Sequence, residues 1–150
     1  MRNYVVILAL AAVALAAPVQ AATKVISPPE FAPAPGAAPP MFSPGILVDG
    51  TLYVSGQIGR DLKTQAIPAD LESEVKTCLA NIGLVLKAAG MTYRNVVSVQ
   101  VYLTDMDLFQ RMNAVYTTYF KDPRPSRTTV GVAKLAAPGA HIEITVTARH

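Results

Sequence analysis

The stretch DLESEVKTCLANIGLVLKAAGMTYRNVVSVQVYL, residues 70–103, changes its hydrophobic period once, and that change sets the fold class. In its first part Leu71, Val75, Cys78, Leu79, Ile82, Leu86 and Ala89 recur at three- and four-residue spacing, which predicts one long amphipathic helix over about Asp70 to Ala89. Gly90 stands where a left-handed C-cap belongs. In the second part Val97, Val99, Val101 and Leu103 alternate with Ser98, Gln100 and Tyr102, the period of a strand with one buried face. Upstream, Gly45-Ile46-Leu47-Val48 and Thr51-Leu52-Tyr53-Val54-Ser55 flank Asp49-Gly50, a dipeptide that accepts the positive φ of a tight hairpin turn. Downstream, Leu108, Met112, Val115 and Tyr119 fit one face of a second helix that follows Asp107 and ends at Asp122-Pro123. Two closing strands, about Arg127 to Lys134 and His141 to Arg149, flank a turn at Pro138-Gly139.

The predicted order is therefore β-β-α-β-α-β-β, an α+β domain with two helices on one face of a mixed sheet. The other face offers Thr129, Gly131 and Thr145, β-branched or small residues that a second copy of the chain would cover. Oligomerisation through sheet faces is the expectation.

The 150 residues suit one domain with a proper core. They begin with Arg2, an unbroken apolar run of 13 residues from Val5 to Ala17, and Val19-Gln20-Ala21, which together predict a signal peptide over 1–21 cleaved after Ala21. That run is shorter than the roughly 20 residues a membrane span needs, so the mature chain is expected to be periplasmic or secreted and free of the membrane. Residues 22–40, rich in proline and small side chains, read as an extended arm, leaving 41–150 as the domain. Removing Arg2 from the 13 basic residues leaves 12 against 10 acidic ones, a net charge of +2. With no basic stripe or aromatic interleaving, this balance argues against nucleic acid as a partner. Cys78 is the sole cysteine, which excludes an internal disulfide; its place on the helix's apolar face predicts a buried, inert thiol.

Arg127 and Glu143 carry the candidate chemistry. Arg127 opens one closing strand and Glu143 sits on the polar side of the next, so a guanidinium could take a substrate carboxylate through two parallel hydrogen bonds while a carboxylate positions or deprotonates a water. The alternative is an ordinary cross-strand ion pair, worth roughly 0.2–1 kcal/mol. Ser55 before Gly56 lacks a histidine to activate it and reads as a turn hydroxyl. His141 and His150 lack metal-ligand spacing and are expected to face solvent, so no metal site is predicted. Asp105 and Asp107 read as a helix cap and its flank. Asn113 could serve packing as well as a ligand, and Arg124 in its proline-rich turn reads as solvated.

Four motifs in register carry a resemblance. Ser55-Gly56-Gln57-Ile58, Asn113-Ala114-Val115-Tyr116, Pro125-Ser126-Arg127-Thr128-Thr129-Val130 and Ile142-Glu143-Ile144 resemble the RidA family, also called YjgF-like or L-PSP, over about Pro40 to Arg149. The resemblance implies a chorismate-mutase-like α+β domain, homotrimers whose sheets line a central barrel, and sites in clefts between subunits. It also implies cofactor-free hydrolysis of 2-enamine or 2-imine acids to 2-oxo acids and ammonia. Arg127 then matches the arginine that binds the substrate carboxylate, and Glu143 the acid that orders the hydrolytic water. Gly56, Asn113 and Phe42 match other cleft positions. Phe42 lacks the hydroxyl of the family tyrosine, and Thr129 stands in place of a common cysteine, which leaves its backbone N–H to bind substrate and excludes thiol chemistry there. The alternative function is a non-catalytic trimer that binds a small carboxylate, or a holdase that uses apolar surface.

Overall fold

Asp49 and Gly50 adopt φ of 48° and 71°, the left-handed pair that a primed hairpin turn requires, and so join the two strands the sequence predicts on either side. The computed structural model of the protein describes residues 22–150; the expected signal segment, 1–21, lies outside the described residues. The elements are β1 (Lys24–Ile26), β2 (Gly45–Val48), β3 (Thr51–Ile58), α1 (Leu71–Ala88), β4 (Val96–Leu103), α2 (Phe109–Tyr119), β5 (Ser126–Gly131) and β6 (Ile142–Arg149). They form one six-stranded sheet of order β1-β2-β3-β6-β4-β5, in which only β4 and β5 run parallel. Among the described residues no helix is long and apolar enough to cross a membrane.

The predicted helix is α1. Asp70 caps it by accepting the Ser73 backbone N–H at 2.9 Å, and Gly90, at φ 74°, turns the chain out of it. Its apolar stripe of Leu71, Val75, Cys78, Leu79, Ile82 and Leu86 is buried over β3 and β6, in one core with Leu52 and Val54 of β3, Ile142, Ile144 and Val146 of β6, and Val99 and Val101 of β4. Each such side chain contributes about 1.5–3 kcal/mol, which makes this interface the main source of stability. Asp105 does cap, but it caps a short 3-10 turn, Met106–Leu108, that leads into α2.

Three expectations change. Residues 22–40 do not run free throughout: Lys24, Val25 and Ile26 pair with Leu47, Ile46 and Gly45 as an edge strand, and Ile26 is buried. A β-branched pair is enough to hold the sheet edge before the prolines begin. Next, β5 and β6 are not neighbours, because β4 lies between them. The link from β4 through α2 to β5 is a parallel crossover, which sends β5 to the outer side of β4 and leaves the inner side for β6. Finally, Thr129 and Gly131 lie opposite Val101 and Leu103, both buried under the helices, so they share the helix-side face. Ser126, Thr128 and Val130 face the other way, with Tyr102, Glu143, Thr145 and Tyr53.

Candidate active site

Arg127 projects from β5 toward α2, on the helix side of the sheet. Its Nη1 donates to Asn113 Oδ1 at 2.8 Å, and its guanidinium carbon lies 4.5 Å from the ring centre of Tyr116 and 5.6 Å from that of Phe109. Phe109, Asn113 and Tyr116 follow one another at four- and three-residue spacing, so a single face of α2 supplies the platform and the hydrogen bond. A stacked guanidinium gains about 0.5–2 kcal/mol and keeps its edge N–H groups for a ligand. They border a cavity of about 350 Å³ lined by Asn113, Tyr116, Thr117, Arg124, Pro125 and Arg127. Burial raises the Tyr116 phenol above its ordinary value, opposed by the positive charge of Arg127 and Arg124, so it stays protonated near neutral pH. Its hydroxyl and that of Thr129 are buried without a protein partner.

Glu143 belongs to a second cluster. It lies on the open face of β6, opposite Ile58 of β3 and Tyr102 of β4. Beside it β3 is irregular between Val54 and Gln57, and Gly56 occupies that break. A Cβ on Gly56 would clash with Glu143 Oε1, so the missing side chain is what lets the carboxylate lie across the strand. Ser55 is the satisfied turn hydroxyl expected: its Oγ donates to the Ser43 carbonyl at 2.7 Å, and its N–H donates to Pro44. These bonds tie the segment carrying Phe42 to the same end of β3. The Phe42 ring itself is 63% exposed, which is unusual for phenylalanine and leaves its face free.

The two clusters do not meet within one chain. Arg127 and Glu143 stand on opposite faces of the sheet with β4 between their strands. Two strand spacings of ~4.8 Å and three residues of ~3.3 Å put their Cα atoms about 14 Å apart. The expected cross-strand pairing is therefore corrected, and with it the bland alternative of a simple Arg127–Glu143 ion pair. Asn113 pairs with Arg127 and Gly56 with Glu143; Thr129 sits two residues beyond Arg127 on the same face, and Phe42 precedes the Ser43 carbonyl that Ser55 binds next to Gly56.

Three residues escaped the sequence reading. Phe109 and Tyr116 could have been found from their spacing about Asn113. Glu74 was masked by its place in a helix: it is fully buried, and accepts the His141 N–H at 2.7 Å, the His141 Nδ1–H at 2.8 Å and the Ile142 N–H at 3.3 Å. His141 is thus tethered by its ring rather than simply solvated. The signal was a carboxylate one turn before Cys78, at a core position. Cys78 is buried as predicted, and burial pushes its thiol up, out of reach of neutral-pH chemistry.

Known proteins share this arrangement of elements. A family model described as Endoribonuclease L-PSP matches residues 32–150. A rat protein named 2-iminobutanoate/2-iminopropanoate deaminase is 43% identical over 122 residues, 81% of this chain and 85% of its own length. Among solved structures, the Rid-family protein YyfA of Yersinia pestis superposes with a TM-score of 0.77 at 34% identity, covering 86% of this chain and all of its own. E. coli TdcF, solved with bound serine, gives a TM-score of 0.73 at 30% identity, covering 85% of this chain and 98% of its own. With its α+β sheet, its motifs in register and a match across the whole described domain, the chain belongs to the RidA/YjgF family, the L-PSP family of the matching model.

Proposed function

We propose that the protein hydrolyses small 2-imino acids, formed from 2-enamines, to 2-oxo acids and ammonia, in sites assembled between three copies of the chain. The observation that carries this reading is the pre-set guanidinium of Arg127, fixed by Asn113 and Tyr116 with its free edge on a cavity. A planar fork held this way suits a carboxylate. The relatives named as imine deaminases at about 43% identity, and TdcF with an amino acid bound, support a substrate of that size.

In this scheme Arg127 of one copy holds the substrate carboxylate, with the Thr129 N–H beside it. Glu143 of the partner subunit takes a proton from a water as its oxygen bonds to the C=N carbon; the nitrogen gains that proton, and the carbinolamine collapses to the 2-oxo acid and ammonia. No cofactor is required by these steps. Acid–base help is worth about 10²–10⁴ in rate, and positioning adds to it, enough for a reaction that already proceeds in water. The exposed Tyr53 and Val130 on the sheet's open face support its burial against another copy. The signal-like residues 1–21 support export, which the mass of the protein recovered outside the cytoplasm would test by a start at Ala22.

The test couples purified mature protein to an amino-acid oxidase and follows loss of the imine. Wild type must exceed buffer, and Arg127→Ala must return the rate to that of buffer; activity that survives Arg127→Ala refutes the reading. A second reading follows from the separation of Arg127 and Glu143: a chain that stays monomeric would have the clamp alone, and would bind 2-oxobutyrate without turning over imines.

A further inference from the structure

Two buried polar residues of α1, Glu74 and Asn81, flank the buried thiol of Cys78 at four- and three-residue spacing, so the three align in one row. Each is bonded to backbone. Glu74 receives the N–H groups of His141 and Ile142 at the start of β6. Cys78 Sγ donates to the Gln57 carbonyl at 3.1 Å, and Asn81 Nδ2 donates to the carbonyls of Ile58 at 3.2 Å and Arg60 at 2.9 Å, at the end of β3. Gly59 lies against Glu74 so closely that a Cβ there would collide with the helix backbone. The row thus grips the two strand ends that carry Gly56 and Glu143, each one or two residues from a gripped atom.

We infer that Glu74, Cys78 and Asn81 are positioning residues that set the Glu143 carboxylate over Gly56, with Glu74 the principal one. The inference rests on the deaminase reading for its kinetic consequence. Its physical basis is independent of that reading: a fully buried carboxylate is costly unless every oxygen is satisfied, and here both oxygens are spent on residues 141 and 142. A core leucine would fill the space without that cost. The two strand ends the row grips are also paired with each other, since Ile58 lies opposite Glu143 just beyond the irregular part of β3.

The experiment uses the full mature oligomer, with Glu74→Leu and Glu74→Gln made in wild type and in Glu143→Gln. Glu74→Leu is expected to lower kcat at least about tenfold while KM, set by Arg127, changes less than about threefold. Glu74→Gln keeps an oxygen for both backbone N–H groups and should recover most of the loss. In the Glu143→Gln background Glu74→Leu should cost nothing further, since it acts through Glu143. Amide exchange should quicken in residues 57–60 and 141–144 and stay unchanged in α2. Wild-type kcat in Glu74→Leu, an equal loss in both backgrounds, or quickened exchange throughout the chain would overturn the inference. If wild type shows no turnover, the deaminase reading alone fails, and the exchange pattern decides the positioning role. Should Glu74→Leu not fold, Asn81→Leu, which removes both carbonyl bonds, is read the same way.

Discussion

Replacing Gly56 by alanine adds one carbon where the Glu143 carboxylate lies. Backbone strain is not the issue, since Gly56 is not among the residues with positive φ. The new Cβ would clash with Glu143 Oε1 and stand 2.8 Å from Cδ and 3.2 Å from Cγ, so the side chain must rotate away. An off-rotamer shift costs about 0.5–1.5 kcal/mol, and the stiffer unfolded chain of the variant returns about 0.4–1 kcal/mol, so stability should hardly change. Turnover should suffer far more. Displacing the positioned acid forfeits about 10²–10⁴ in rate, or ~2.7–5.4 kcal/mol of transition-state stabilisation. Arg127, on the opposite face of its own chain, keeps its Asn113 and Tyr116 contacts, so the calorimetric Kd for 2-oxobutyrate should move less than about threefold. The paired measurement is imine loss in the oxidase-coupled assay and heat of 2-oxobutyrate binding. A variant that turns over within about threefold of wild type refutes the role given to Glu143, and one that loses binding and turnover together refutes the division into two clusters.

Tyr116→Leu removes the surface under the Arg127 guanidinium and should weaken 2-oxobutyrate binding by about 3- to 30-fold, the equivalent of a stacking loss of ~0.5–2 kcal/mol, as read by calorimetry. The Arg111 guanidinium, bonded to both Glu72 oxygens at 2.8 and 2.6 Å, holds that carboxylate at about 2, below its unfolded value near 4.5. Its contribution to stability is therefore present above pH 4.5 and fades as pH falls toward 2, so the melting-temperature gap between wild type and Glu72→Gln should close over that window. Gly90→Ala places a side chain at φ 74° and should lower unfolding stability by about 1–2 kcal/mol in urea titrations, with no change in turnover.

The local elements were readable because each rests on neighbours in sequence: the three- and four-residue spacing of α1, the alternation of β4, and Asp49-Gly50 all reappear where predicted. Arg127 and Glu143 could be named as candidates, but their geometry could not be read. Which strands lie side by side depends on how β6 returns to fill the gap between β3 and β4, a long-range pairing that no residue spacing records. The parallel crossover through α2 could have been inferred, because a helix between two strands carries the second to the same direction as the first. Once β5 is placed outside β4, Thr129 falls under the helices. Glu74 was missed for the opposite reason. A periodicity argument counts apolar positions, so it passes over a carboxylate at a core position, and the backbone groups that satisfy it lie 67 residues away. Lys24-Val25-Ile26 was too short to register as a strand beside its prolines, yet it needed only β2 as a partner.

Mixing two inactive variants tests most directly whether one copy's clamp works with another's acid. Arg127→Ala keeps Glu143, and Glu143→Gln keeps Arg127; alone, neither should exceed about a hundredth of the wild-type rate. Co-refolded one to one in a ring of three, about one site in four would unite an intact Arg127 with an intact Glu143 from the next copy. The prediction is recovery of about a quarter of the wild-type rate in the oxidase-coupled assay. A mixture as inactive as its parents, with the trimer intact by light scattering, would contradict a site shared between copies.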